Sequence, residues 1–253
     1  TVAGTPIDVW QLSNTHIRPA VADQYSVGYF RNLADNGIET SIEAYYKSTT
    51  DVLDFKGGAT LLLNETLEAD LLQGQGRARG IEFLFKKKEG RVTGWLSYTY
   101  SRTELRTSSD FSSETVNNGE WYPANYDKPH DLTIVMDYKV GKRVNLTAIF
   151  TYSTGRPITA PTATYRLGTI RALADYSERN QFRIPDFHRL DLSLTIGRGF
   201  KRSKRVKSEW NISIYNVYAR KNAYSIFFNE NSRAFKLSIL SIIPSISYNF
   251  KFQ

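Results

Sequence analysis

No cysteine occurs among the 253 residues. That excludes disulfide scaffolds, thiol catalysis and thiolate metal sites, and leaves the redox compartment open. Long apolar runs are missing too. Nothing approaches the 18 or so residues that a membrane-spanning helix needs; the longest apolar stretches are short ones such as 236–243. An apolar fraction of 41% and a mean hydropathy of −0.41 likewise exclude a bundle of transmembrane helices. The chain begins at Thr1 without an initiator Met, a charged n-region or an apolar h-region, so any signal peptide is expected upstream or already removed. What is plentiful is aromatic: 16 Tyr, 14 Phe and 4 Trp, a large content of amphipathic rings for so polar a chain.

The formal net charge of +8 is unevenly placed. Thirteen of the 33 basic residues fall in three short stretches: Lys86, Lys87, Lys88 and Arg91; Lys139, Lys142 and Arg143; Arg198, Lys201, Arg202, Lys204, Arg205 and Lys207. Glu89 is the one acid among them, and the rest of the chain carries 20 bases against 24 acids. The excess sits in connectors between apolar segments and does not run as a stripe along a helix. Positive turns facing anionic headgroups or water suit this pattern, and no nucleic-acid partner is expected.

The dominant period is two. Tyr25, Val27 and Tyr29 alternate with Gln24, Ser26 and Gly28, and the turn Asp35-Asn36-Gly37 follows. Ile38, Thr40, Ile42, Ala44 and Tyr46 then oppose Glu39, Ser41, Glu43, Tyr45 and Lys47. The same alternation recurs at 81–86, 92–101, 131–138, 144–152, 189–196, 210–215 and 245–252. Nine strands of roughly ten residues result, each with one apolar and one polar face and long enough to cross a bilayer at a tilt.

Connector length is the second pattern. The tight connectors are 34–37, 88–90, 140–143 and 198–206; the long ones are about 50–75, 105–127, 155–186 and 219–235. Short and long alternate, so every long loop emerges at one end of the sheet, the asymmetry of outer-membrane barrels. A soluble β-sandwich would show mixed lengths at both ends. Tyr and Trp near strand ends (Tyr25, Tyr45, Tyr46, Tyr98, Tyr100, Tyr138, Tyr152, Trp210, Tyr218 and Tyr248) fit aromatic girdles at two membrane interfaces. The fold expected is therefore all-β: a transmembrane antiparallel barrel with its apolar face in lipid and its polar face lining the lumen.

Several segments together resemble the C-terminal portion of TonB-dependent outer-membrane receptors of the Bacteroidetes type. They are IRPAVADQYSVGYFRN (17–32), GRARGIEF (76–83), NYDKPHDL (125–132), STGRPIT (153–159), IPDFHRLDLSL (184–194), WNISIYNVYARKNAYS (210–225) and IPSISYNFKF (243–252). Seven weak motifs in the right order cover nearly the whole chain. The one departure is Gln253 after Phe252, where the family usually ends on an aromatic residue. The resemblance implies that residues 1–253 are the last nine strands of a 22-stranded barrel in the bacterial outer membrane, its plug and earlier strands lying elsewhere. It also implies active import of a scarce solute such as a siderophore, glycan, peptide or cofactor. The implied partners are the rest of the barrel and its plug, TonB-ExbB-ExbD through the N-terminal part, and outer-membrane lipid with lipopolysaccharide. A surface lipoprotein is a further partner left open. The competing readings are a self-contained small barrel (porin, adhesin or hydrolase) and a soluble β module.

No catalytic constellation is visible. His16, His130 and His188 lie in different segments without ligand spacing and read as structural residues. Glu39 and Glu43 read as lumen wall, no Gly-x-Ser-x-Gly elbow occurs, and no cofactor or enzyme activity is expected. Recognition is expected in the long loops. Loop 105–127 carries Trp121, Tyr122, Asn125 and Tyr126; loop 155–186 carries Arg156, Tyr165, Arg166, Arg171, Tyr176, Arg179 and Asn180. Aromatic faces beside Arg and Asn suit sugars, peptides and anionic chelates alike, and loop self-packing would use the same residues.

Overall fold

The computed structural model describes residues 12–35, 37–59, 64, 66–165, 173–198, 206–229 and 232–252. β1 (Val21–Leu33) and β2 (Ile38–Phe55) meet across a tight turn closed by the Gly37 amide donating to the Ala34 carbonyl. β3 (Leu71–Lys87) and β4 (Val92–Arg106) form the second hairpin, and the short β5 (Tyr122–Pro123) pairs with the end of β4. β6 (His130–Lys139) and β7 (Val144–Ser153) form the third. The next connector folds into two small ladders, β8 (Pro157–Ile158) with β11 (Phe182–Arg183) and β9 (Pro161–Tyr165) with β10 (Leu173–Tyr176). β12 (Phe187–Arg198) pairs with β13 (Val206–Tyr215), the loop hairpin of β14 (Ser225–Phe228) and β15 (Ala234–Leu237) follows, and β16 (Ile243–Phe252) closes the chain. The nine long strands make one antiparallel sheet in the order β1-β2-β3-β4-β6-β7-β12-β13-β16. It is open, with β1 and β16 at its edges.

All nine expected strands are there, but three are longer than the alternation predicts. β2, β3 and β4 run for 18, 17 and 15 residues, which shortens the first long connector to 56–70. Beyond Tyr46, Ile81 and Tyr100 the formerly apolar face turns polar, with Ser48, Thr50, Arg79, Arg77 and Arg102, so hydrophobic period no longer reports the strand although the ladder bonds continue. A bulge at Asp51, which has a φ of +57°, keeps β2 in register with β3 there. The other strands hold ten to thirteen residues. Ten residues span about 34 Å, and at a tilt near 45° cover about 24 Å of membrane thickness.

The register gathers the apolar residues on one side. One row runs Tyr29, Ile42, Phe83, Tyr98, Leu132, Tyr152 and His188. The rows below it carry Phe85, Leu96, Ile134, Phe150 and Leu190, and then Met136, Ala148, Leu192 and Ile214. None of the described residues covers this face: Val27 is 73% exposed, Ile246 65%, Ile81 49% and Trp210 47%. The accessible surface of 17591 Å² compares with about 11,000 Å² for a compact soluble monomer of this mass. Among the described residues no helix is long and apolar enough to cross a membrane; the uncovered residues lie on the strands. The opposite face carries Glu39, Glu43, Thr99, Thr133, Asp137, Thr147, Asp191, Ser193, Asn211 and Asn249. Tyr45 lies on this polar face over Gly80, whose missing Cβ leaves room for the ring, so Tyr45 is not part of an outer girdle.

Candidate functional site

The site builds up from two zones, the polar face of the sheet and the canopy of long loops at one of its ends. On the polar face, side chains bond across strands. Thr147 donates to Asp137 at 2.5 Å, Asn211 donates to both Ser193 and Thr195 at 3.0 Å, and Glu39 pairs with Lys88 and, more loosely, Lys86. Arg189 donates to Asp191 at 2.9 Å and to the Tyr215 hydroxyl at 2.6 Å, with its guanidinium 4.1 Å from that ring's centre. At the short-turn end Thr93, Asp137, Lys139, Lys142, Arg143, Val144 and Thr195 line a shallow cleft. Groups of this kind can hydrogen-bond water and small polar solutes. None forms a nucleophile–base pair.

The canopy holds the buried hydrophobic cluster: Leu72, Leu105, Val116, Tyr122 and Ala124, with Val52 against it. Leu72 and Leu105 project from the polar side of β3 and β4 as the register runs on, so the cluster roofs the polar face. Asp54 organises its margin. It accepts from the Tyr122 hydroxyl at 2.6 Å and pairs with Arg179 at 2.8 Å, while Arg179 also donates to the Phe55 carbonyl. Burial and the Asp54 carboxylate push the Tyr122 hydroxyl well above the ordinary tyrosine range. Asn117 and Arg179 exchange two bonds, Asn117 to the Arg179 carbonyl at 3.1 Å and the Arg179 amide to Asn117 at 2.8 Å. Asn180 donates to the Pro123 carbonyl at 2.8 Å.

The canopy is clipped to the strand ends by Asp127, Asp186 and Asn216, each beside a strand end. Asp127, with its side chain 1% exposed, accepts from the Thr103 amide and pairs with Arg183. Asp186 accepts from the Gly155 amide at 2.9 Å and from the Tyr152 hydroxyl at 2.7 Å, bonds that hold its carboxyl below the usual range. Position 155 must be glycine, because a Cβ there would lie 1.7 Å from the Ile184 carbonyl oxygen. Asn216 and Arg220 close the start of the last long loop through two mutual bonds, and Arg220 reaches the Asp186 carbonyl. The two strand-start histidines each share a 2.8 Å bond with a ring hydroxyl, His130 with Tyr98 and His188 with Tyr218. No cluster of three potential metal ligands exists among the described residues.

The candidate loop residues thus divide. Tyr122, Arg179 and Asn180 come together, but as the interior of the canopy: Tyr122 is 1% exposed and its hydroxyl is committed. Trp121 lies against Arg77, 4.2 Å from guanidinium carbon to ring centre. Arg156 donates to Ser225 and joins two loops. Asn125, Tyr126, Tyr165 and Tyr176 are exposed, Tyr126 at 61% and Tyr165 at 59%. Arg166 and Arg171 lie outside the described residues. Asp54, Asn117 and Arg183 were missed; nothing in the residues around them marks them.

A family model described as TonB dependent receptor-like, beta-barrel matches residues 4–217. Among solved structures, the chain is similar to the closed form of the ferric-catecholate import receptor Fiu from E. coli K12. The TM-score is 0.59 at 12% identity, over 95% of this chain and 29% of that receptor's chain. A likeness at that identity speaks to fold alone. No curated protein sequence matches.

Proposed function

Because the chain belongs to the TonB-dependent receptor β-barrel family, we propose that it forms about nine strands of a larger, plugged 22-stranded outer-membrane barrel importing a scarce solute. The observation that carries this is the uncovered apolar band on an open sheet whose polar side is roofed by loops from one end. Such a sheet is a wall, and its two edges call for further strands of the same barrel. The remainder of the chain would supply those strands, the plug and the segment reached by TonB-ExbB-ExbD. The exposed Asn125, Tyr126, Tyr165 and Tyr176 are the ligand contacts we assign, while Tyr122, Arg179 and Asn180 hold the canopy that presents them.

Uptake separates this reading from a small passive barrel. Isogenic strains with and without the full-length gene are offered a panel of labelled ferric chelates, oligosaccharides and peptides. Import of one class should be saturable, lost in the deletion strain and abolished when a protonophore collapses the inner-membrane gradient. Uptake that depends on the gene yet is linear in concentration and indifferent to the protonophore would point to the porin alternative.

A further inference from the structure

A cleft of about 490 Å³ opens at the long-loop end, beside the buried cluster that roofs the polar face. Three separate stretches of chain wall it: the segment at His16, the start of β3 and the turn that follows β4. Leu72 belongs to both cluster and cleft. His16, Gln73, Ser108, Asp110 and Glu114 bring polar groups to the lining. Each wall is held in place. Asn14 accepts from the His16 and Ile17 amides at 2.8 and 2.9 Å and donates to Glu68 at 2.6 Å. Gln73 gives its side-chain amide to the Arg18 carbonyl at 2.9 Å, which leaves its Oε1 as an acceptor.

The turn is the most tightly braced of the three walls. The Ser109 hydroxyl donates to Glu114 and accepts from the Phe111 amide, each at 3.3 Å, and the Glu114 amide returns to the Phe111 carbonyl at 3.0 Å. Lys56 fastens Glu114 at 3.2 Å, and the Val116 amide closes the loop on the Thr107 carbonyl at 3.1 Å. This bracing presents two groups that the turn itself does not use. Phe111 is 67% exposed, and Asp110 makes no hydrogen bond or ion pair among the described residues. A ring and a carboxylate held so firmly are preorganised for a ligand. Charge narrows its class. No lysine or arginine lines the cleft, and Lys56 and Arg18, which touch its walls, are paired with Glu114 and Asp51. Such a lining repels anionic chelates and phosphorylated cofactors. Carboxylates, an amide oxygen, a hydroxyl and an imidazole instead suit the hydroxyls of a sugar, which both donate and accept, and a phenyl face suits its C–H side.

We propose that this cleft is a subsite for one end of a neutral oligosaccharide, with Asp110 and Gln73 accepting from sugar hydroxyls and Phe111 stacking on a pyranose face. The subsite rests on the import reading above and narrows its solute to a neutral glycan.

The test uses the full-length receptor in nanodiscs, with binding of malto-, xylo-, manno- and galacto-oligosaccharides of about four to seven units read by calorimetry and folding by heat-modifiable migration. At least one series should bind the wild type. D110A should weaken that Kd at least about tenfold, the size expected for a hydrogen bond to a charged acceptor. F111A should weaken it about fivefold, while F111Y keeps the ring and the affinity. K142Q, at the opposite end of the sheet, should bind as the wild type does. Failure of every series to bind the folded wild type at millimolar concentration overturns the subsite, and so does a Kd untouched by both D110A and F111A. If a ferric chelate is then taken up in a gene- and gradient-dependent way, the import reading stands without the subsite. Uptake that ignores the protonophore for every class offered overturns the import reading, and with it the role given to the cleft.

Discussion

Asp54 shows how much a single carboxylate can organise above a membrane wall. It joins Tyr122 from one loop and Arg179 from another at the end of its own strand. The D54N variant removes the charge and leaves the Arg179 guanidinium, 20% exposed, without its counter-ion. Hydrogen exchange should quicken by an amount corresponding to about 1–3 kcal/mol of local opening in residues 107–129 and 173–183, with β12 unaffected. Asp186 makes a prediction about pH. Its bonds to Gly155 and Tyr152 lower its folded-state pKa, so the clip is fully present above the ordinary aspartate value. It is lost only as pH falls below about 3.9 and through the folded value. Protection of the Gly155 amide relative to its intrinsic exchange rate should hold at neutral and mildly acidic pH and fall below that, whereas D186A, which has no acceptor, should lack it throughout.

These residues also mark the limit of what could be read from the chain alone. Asp127, Asp186 and Asn216 fall inside segments that drew attention as motifs, and the clips they form explain why those residue types stand there. Tyr122 and Arg179 were legible as chemistry but not as placement. Whether a ring or guanidinium faces solvent depends on a partner, and Asp54 lies 68 residues before Tyr122.

At the scale of the strand, alternation and connector length between them specify nine strands, their pairing and the end from which the long loops leave. What they miss is the upper part of β2, β3 and β4, where Ser48, Thr50, Gln75, Arg77 and Arg102 leave no apolar face to follow. The two faces should respond oppositely to charge. L192R, in the middle of the apolar band beside Ala148 and Ile214, should cost about 2–4 kcal/mol in urea unfolding from vesicles. T133K, on the polar face between Ser97 and Thr151, should cost less than about 1 kcal/mol in the same assay. Equal costs would mean that the faces had been assigned the wrong surroundings.

For the molecule as a whole, the decisive property is an apolar surface that none of the described residues covers, on a sheet open at both edges. A barrel wall in a membrane requires hydrocarbon to lie against that surface. The absence of cysteine makes the question directly measurable, since any cysteine introduced into this chain is its sole thiol. Spin labels at Ile134, Leu192 and Ile212 should, in lipid vesicles, collide readily with dissolved oxygen and hardly at all with a water-soluble nickel chelate. Labels one residue along, at Thr133, Ser193 and Asn211, should show the reverse. Nickel access at the first set equal to that at the second would contradict the account.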